Sequence, residues 1–223
     1  MDQFGLSRGS HVVDLGAGTG IFSRQLASHG LNVTAVEPVS AMRAGMVDVA
    51  GLVARDAVAE RTGLPDRCAD AVVAATAWHW FDAAATISEV HRLLRPGAGG
   101  LGLAWNDYDV SVPWVAAYAG VADRRRPSTT PSARSGLWRE FFDCLDGWTP
   151  LSDERFANPL STTPDGLVDR LLSSSAIARL PAKEQAVARS EVAALLRDSG
   201  LGDAVELTLP YVTTVSWTRP TGR

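Results

Sequence analysis

Cysteine, clustered positive charge and long apolar runs are all scarce in this chain of 223 residues. The two cysteines, Cys68 and Cys144, show neither metal-binding nor redox spacing, so we expect no metal site and a reduced, cytoplasmic setting. No signal peptide is visible, and no apolar run approaches the length of a membrane-spanning helix. A membrane protein is therefore not expected.

The charge balance argues against a nucleic-acid partner. The formal net charge is −4, whereas nucleic-acid-binding proteins are usually basic or carry a basic face. The only basic run, at residues 124–126, is interpreted as a solvated helix end. Apolar residues make up 46% of the chain and charged residues 21%, which is ordinary for a globular protein. The length suffices for a single α/β domain over residues 1–223.

A glycine-rich stretch near the start carries the strongest signal. An apolar run containing Asp14 leads into Gly16, Gly18 and Gly20, and a helical pattern follows. This order predicts a strand, a tight turn and a helix that bring backbone amides against a nucleotide-like ligand. A nicotinamide-binding turn would place glycine or alanine at position 21, where Ile21 stands. A nicotinamide oxidoreductase is thus a disfavoured alternative.

The D-x-G-x-G-x-G pattern resembles motif I of the class I S-adenosylmethionine-dependent methyltransferases. The resemblance implies S-adenosylmethionine as cofactor and S-adenosylhomocysteine as product. It also implies that Asp14 positions the methionine amino group, partly through water. Backbone at Gly16, Ala17, Gly18 and Gly20 would approach the cofactor closely. An ordinary glycine-rich turn is the alternative interpretation.

Further cofactor contacts are expected where later strands end. Glu37 and Pro38 follow a β-branched strand at residues 32–36, and a carboxylate at a parallel strand's carboxyl end can accept hydrogen bonds from a ribose diol. A surface glutamate is the alternative. The family resemblance places Met42 beside the adenosine, although core packing is equally open. It further implies an adenine border at Ala59 and Glu60, and cofactor contacts at Thr76 and Ala77 after a buried strand.

An aromatic cluster follows Ala77 and suggests where the methyl acceptor binds. Trp78 and Trp80 flank His79, which could deprotonate a hydroxyl acceptor because an imidazole titrates near neutral pH. Packing or a single hydrogen bond is the alternative for His79. Core packing is the alternative for each tryptophan, most strongly for Trp80. Acceptor contacts are also predicted for Trp105 and, more weakly, for Asn106 and Tyr108.

The resemblance covers nearly the whole chain and implies a fold. We expect a Rossmann-like, seven-stranded, mostly parallel sheet with an antiparallel last strand, helices on both faces and helical cap inserts. Residues 1–110 would form the cofactor-binding half and residues 111–223 the substrate-side half. The pattern predicts strand six at residues 149–158, helices at 165–175 and 181–198, and a last strand alternating from Val205 to Trp217. Pro210 should mark a bulge or an unpaired edge there.

One subgroup is similar in detail, through Arg-Leu-Leu-Arg-Pro-Gly, Ala-Trp-Asn and Val-Pro-Trp runs between residues 92 and 114. It contains enzymes that methylate small carboxylic acids such as trans-aconitate and cantharidin-related diacids. The resemblance implies O-methylation of a small carboxylate or hydroxyl by direct displacement. A cofactor-binding protein without transferase activity is the alternative.

The subgroup usually carries a further helix before motif I that covers the cofactor, whereas ten residues precede the first predicted strand here. Three explanations stay open: a late start of the sequence, a more open pocket, or closure by a second subunit in a homodimer.

Overall fold

The computed structural model describes residues 2–46, 49–127 and 133–222. Its strands are β1 His11–Leu15, β2 Asn32–Val36, β3 Leu52–Arg55, β4 Ala71–Ala75, β5 Leu101–Tyr108, β6 Ser152–Ala157, β7 Leu160–Thr162, β8 Leu207–Leu209 and β9 Tyr211–Thr218. Its α-helices are α1 Ile21–Ser28, α2 Ser40–Arg43, α3 Ala83–Leu93, α4 Pro113–Asp123, α5 Leu137–Asp143, α6 Pro164–Ser173, α7 Ser175–Ala178 and α8 Ala182–Asp198. Short 3-10 turns occur at Asp2–Phe4, Trp78–Trp80 and Ala133–Ser135.

The main sheet has seven strands in the order β3-β2-β1-β4-β5-β9-β6. β1 pairs in parallel with β2 and β4, so that Val13 lies between Thr34 and Val72. β9 runs antiparallel, because the amide of Thr149 donates to the carbonyl of Arg219 while that of Asn158 donates to the carbonyl of Tyr211. The predicted seven-stranded sheet with its antiparallel last strand is confirmed.

The central strands are buried because helices cover both faces of the sheet, as parallel sheets require. Val13 and Leu15 of β1 pack in a cluster with Trp78 and Phe142. Val12, which points to the other face, packs with Leu31 in a separate cluster. This burial holds β1 and β4 side by side and brings their carboxyl ends to one edge.

The chain divides into two compact units. The first unit comprises Met1–Trp105, Ser132–Glu154 and Val215–Arg223, and the second comprises Asn106–Pro131 and Arg155–Thr214. The second unit has a core of its own, in which α4, α6 and α8 contribute Tyr118, Leu167 and Val192, all fully buried. None of the helices in the described ranges has both the length and the apolar character needed to cross a bilayer.

The prediction of one continuous last strand is wrong. Pro210 separates β8, which pairs with β7 in a small antiparallel sheet, from β9 in the main sheet. The predicted alternation holds only from Leu207 to Tyr211: Val205, where it was predicted to begin, is 92% exposed. Beyond Tyr211, Ser216 and Thr218 are buried instead of Val215 and Trp217. Pro210 has no amide hydrogen to donate, so the chain leaves one sheet for another there. The helix predicted at residues 165–175 is likewise interrupted, because α6 ends at Ser173 and α7 begins at Ser175.

Candidate functional site

A cleft of about 650 Å³ lies in the first unit, where β1, β2 and β4 end. Ligands of open parallel sheets bind at this edge. The residues lining the cleft come from the glycine turn, the exits of the three strands, and the first turns of α1 and α2: Asp14, Gly16, Ala17, Gly18, Thr19, Ile21, Phe22, Glu37, Pro38, Val39, Met42, Ala75, Thr76, Ala77, Trp80 and Phe81.

The glycine turn requires glycine for two reasons. Gly16, Gly18 and Gly20 have φ values of 67°, 58° and 77°, in the left-handed region that disfavours side chains. A Cβ on Gly16 would also lie 2.7 Å from the Cβ of Ala77. The amides of Gly16 and Ala17 donate to the carbonyl of Val36 at 2.9 and 3.0 Å. The turn is therefore fixed to the end of β2, with its backbone open to the cleft.

Glu37 holds the turn from the other side. Its side chain is almost fully buried, Oε2 accepts the amide of Gly18 at 2.9 Å, and Oε1 accepts the amide of Val39 at 2.9 Å. An ionised carboxylate has about four acceptor sites. Both oxygens can therefore accept further hydrogen bonds from a ligand in the cleft while keeping these backbone partners.

Asp14 is a second buried carboxylate in the cleft wall. It is 1% exposed, and Oδ2 accepts the hydroxyl of Ser23 at 2.5 Å. Oδ1 has no hydrogen-bond partner among the described residues. Burial raises the pKa of Asp14 to about 7, although the hydrogen bond from Ser23 opposes this shift. Because a buried, unsatisfied oxygen is costly, Oδ1 is suited to a hydrogen-bonding, cationic ligand group.

The exit of β4 is strained. Thr76 has φ 56°, an uncommon value for a residue with a branched side chain, and its amide donates to the carbonyl of Ala104 at 2.7 Å. Such strain is typical of functional sites and persists only where the surrounding structure fixes it. Here it turns Ala75, Thr76 and Ala77 along the cleft wall.

The two tryptophans beside His79 have opposite environments. Trp78 is 1% exposed and packs against Phe142 with ring centroids 5.3 Å apart, outside the cleft lining. Trp80 is 59% exposed and lines the cleft, although core packing was the alternative weighed most strongly for it. The His79 ring lies 5.3 Å from the Trp80 ring. Trp80 is therefore the tryptophan of this pair that a ligand in the cleft can contact.

The remaining predicted cofactor residues are only partly brought together. Pro38 and Met42 line the cleft, whereas Gly20 precedes α1 and is absent from the lining. Ala59 is buried in the core. Glu60 accepts the amide of Asp82 at 3.0 Å and lines a separate, shallower cavity next to the predicted adenine loop.

The predicted acceptor residues that follow Trp80 in the sequence divide between the two units. Trp105 belongs to the first unit, is 7% exposed, and stacks on Trp138 with centroids 4.1 Å apart. Its Nε1 has no hydrogen-bond partner within the described ranges. Asn106 and Tyr108 belong to the second unit.

Several cleft residues escaped the sequence analysis. Thr19, Ile21, Phe22, Val39, Ala75 and Phe81 line the cleft, and Ser23 holds Asp14. Ile21 and Phe22 follow the third glycine directly, so their position in the first turn of α1 was an available signal. No sequence signal indicated the hydrogen bond from Ser23 to Asp14, because it joins a helix face to a strand. No group of three or more potential metal ligands occurs in the part of the chain that the structure describes.

Comparisons with known proteins agree on one family. A methyltransferase-domain family model matches residues 13–99. An uncharacterized methyltransferase of Mycobacterium bovis is 36% identical over 212 residues, which span 91% of this chain and 80% of that protein.

Solved structures share the fold. A candidate type II methyltransferase from Anaeromyxobacter dehalogenans has a TM-score of 0.73 at 24% identity, covering 98% of this chain and 92% of that one. Phosphoethanolamine N-methyltransferase 2 of Haemonchus contortus, solved with phosphomonomethylethanolamine and S-adenosylhomocysteine, has a TM-score of 0.53 at 16% identity. That match covers 99% of this chain and 51% of the other.

Proposed function

Because the chain belongs to the class I S-adenosylmethionine-dependent methyltransferases, we propose that the cleft of the first unit binds this cofactor and that the methyl group goes to an oxygen of a small molecule. S-adenosylmethionine is the methyl donor of the family. When bound, it supplies an electrophilic methyl group on a sulfonium centre. The residues of the chain then have to bind the cofactor and the acceptor, orient them for transfer and exclude water.

The observation that carries the proposal is the pair of buried carboxylates at the ends of β1 and β2. Asp14 Oδ1, which lacks a partner among the described residues, is suited to the ammonium group of the cofactor's methionine moiety. Glu37 Oε1 and Oε2 are suited to the two ribose hydroxyls. The glycine turn between them, at Gly16, Ala17 and Gly18, places backbone against the same space.

The flanking residues complete the proposed cofactor site. Pro38 and Met42 would pack beside the adenosine, and Thr76 and Ala77 beside the methionine moiety. The proposed role of Gly20 is to start α1, and that of Ala59 and Glu60 is to shape the adenine side from the neighbouring loop.

We assign the acceptor side to Trp80 and His79, with Trp105 as a further candidate. An aromatic face can stabilise a cationic methyl group by cation–π attraction. His79 would take the proton of a hydroxyl acceptor, whereas a carboxylate acceptor needs no base. Small carboxylic acids similar to trans-aconitate are the proposed acceptors, by resemblance of the runs around Pro96 and Trp105.

The free thiols of Cys68 and Cys144 support a reducing, cytoplasmic setting, and a homodimer is retained as a proposal for solution measurements.

Titration calorimetry with S-adenosylmethionine tests the cofactor site. We expect binding by the native chain and a loss of at least about a hundredfold in Glu37→Ala, because two charge-assisted hydrogen bonds of about 1.5–3 kcal/mol each are removed. Glu140→Ala deletes the same side chain from an exposed position on α5 and should bind normally. Equal affinity in Glu37→Ala and Glu140→Ala would remove the ribose assignment.

The acceptor class is tested by methyl transfer from labelled cofactor to a panel of small acids, phenols and amines. A base-labile methyl ester identifies a carboxylate acceptor, and a base-stable ether identifies a hydroxyl acceptor. Exclusive N-methylation would refute the proposed oxygen chemistry.

A further inference from the structure

All three tyrosines of the chain meet around one arginine in the second unit. The ring of Tyr108 lies 5.4 Å from that of Tyr118 and 4.9 Å from that of Tyr211. Arg170 of α6 donates from Nε to the Tyr211 hydroxyl at 2.7 Å, and its guanidinium carbon lies 5.2 Å from the centre of the Tyr211 ring. The Tyr118 hydroxyl donates to the carbonyl of Leu167 at 2.8 Å. The guanidinium is therefore held in a fixed orientation.

Within the described ranges, Arg170 differs from several other arginines in making no ion pair with a carboxylate. Among the described residues no carboxylate lies within ion-pair distance of it. Close ion pairs are made instead by Arg43, Arg92, Arg95, Arg124, Arg125 and Arg139. Burial raises the pKa of Tyr211 and of Tyr118, so both stay neutral near pH 7 and neither offsets the charge of Arg170. The cluster is thus a fixed positive charge among neutral hydroxyl groups.

The guanidinium of Arg170 has N–H donors left over for a ligand. It has five N–H donors in a planar fork, and the hydroxyls of Tyr211 and Tyr108 can accept only some of them. Arg170 is solvent-exposed, so a small molecule can reach it. A planar fork of donors matches the two oxygens of a carboxylate, to which arginine binds bidentately.

A polar strip continues from the cluster along β5 and β9. The amide of Asp109 donates to the carbonyl of Pro210, which sets Tyr108 beside Tyr211 and Asn106 beside Thr213. Residues two apart share one face of a strand. Asn106 Oδ1 accepts the hydroxyl of Thr213 at 3.0 Å and Nδ2 of Asn158 at 3.1 Å. Next to the charge of Arg170 there is therefore a neutral, hydrogen-bonding surface rather than an apolar one.

We propose that Arg170, oriented by Tyr211 and Tyr108, binds the carboxylate of a small organic acid. This site goes beyond the proposed function, because it is made by residues of the second unit alone. The guanidinium would hold both oxygens of the carboxylate, and the tyrosine hydroxyls would fix its direction.

The test uses the full-length chain with S-adenosylhomocysteine present, and two acids with their uncharged analogues: succinate with succinamide, and benzoate with benzamide. Binding is followed by ligand-observed NMR and calorimetry. We expect at least one acid to bind and its amide to bind far more weakly. Arg170→Gln should lower the affinity for that acid by about tenfold or more, the value of one charge-assisted hydrogen bond.

Three variants separate a specific site from general electrostatics. Arg179→Gln removes the same charge from an exposed position after α7 and should leave acid binding unchanged. Arg170→Lys keeps the charge but loses the planar fork, and Tyr211→Phe keeps Arg170 but removes the acceptor of its Nε–H; both should weaken binding less than Arg170→Gln. The inference is overturned if neither acid binds, if acid and amide bind alike, if Arg179→Gln loses as much as Arg170→Gln, or if inorganic phosphate binds more tightly than the acids.

Cofactor affinity is measured on every variant as an independent readout. Each should bind S-adenosylmethionine as the native chain does, which also verifies that it is folded. Failure of the native chain to bind cofactor would count against the proposed function, and failure to discriminate acid from amide would count against the carboxylate site. The two failures are therefore distinguishable.

Discussion

At the scale of single residues, the fold shifts the pKa of Asp14 into the range near neutral pH. Burial raises its pKa from 3.8 to about 7, so that near neutral pH the carboxyl group is partly protonated. In the free protein this group stabilises the fold below pH 3.8, and that contribution is lost as the pH rises toward 7, because the unfolded chain releases the proton more readily. A cation at Oδ1 would favour the charged form and lower the pKa again.

Cofactor binding is therefore expected to release a proton from Asp14 at a pH somewhat below 7. Affinity should rise with pH through this range and level off above it. Calorimetry in two buffers with different ionisation enthalpies counts the released protons, and Asp14→Asn, which has nothing to ionise, is the matched control. Proton release that is absent in the native chain, or equal in Asp14→Asn, would contradict this account.

Asp14 and Glu37 were predicted to lie in a ligand site, and both line the cleft. The prediction succeeded because the carboxyl ends of neighbouring parallel strands lie at one edge of the sheet. The residue pattern did not distinguish Trp78 from Trp80. These two residues sit in a 3-10 turn, where neither the helical nor the strand period applies, and the packing of Phe142 from α5 determines which indole is buried. That partner lies more than sixty residues away in sequence, so no local signal reveals it.

At the scale of elements, the turn from β1 to α1 allows two glycines to be compared. Gly16 and Gly18 both have positive φ, but only Gly16 is crowded by Ala77 and Phe81; a Cβ on Gly18 would meet no atom within 4 Å. Gly18→Ala should lower the free energy of unfolding by about 1–2 kcal/mol, for backbone strain alone. Gly16→Ala should cost about 1–3 kcal/mol more, for overpacking. Urea denaturation measures both, and equal costs would show that the Ala77 contact relaxes freely.

Strand and helix existence followed from the sequence better than their connections did. α3 begins directly after Asp82, a favoured residue type at a helix start, and its carboxylate accepts the amide of Ala85 at 3.0 Å. The break between β8 and β9 was missed because alternation continues across Pro210 through Leu209 and Tyr211. Alternation reports burial, not which sheet buries the side chain, and β7 is too short to predict its own pairing.

At the scale of the whole molecule, the first unit, which contains the cleft, is assembled from three separate stretches of chain. Phe142 is buried in its core, and Trp138 and Trp148 pack against that core from beyond residue 110. A fragment of residues 1–110 is therefore expected not to fold cooperatively, because these aromatic side chains and β9 would be missing. Circular dichroism and proton–nitrogen NMR, with the full chain as reference, test this. A dispersed spectrum and cofactor binding by the fragment would contradict it.

The division into halves at residue 110 was the natural sequence prediction, since no composition change marks the return of residues 132–154 to the first unit. Such a return depends on contacts between distant residues. Local propensity and periodicity do not encode them, whereas the motifs at Gly16 and Glu37 lie close enough together to be recognised.

The position of β9 in the sheet has a consequence for biosynthesis. β9 lies between β5 and β6, yet it is the last of the seven strands to leave the ribosome. Until residues 211–218 emerge, the edge of β5 that faces away from β4 has no neighbouring strand, and β6 has no strand to pair with. Exposed strand edges promote association with other chains. A nascent chain stalled shortly before Tyr211 should therefore depend on chaperones far more than one released after Thr218.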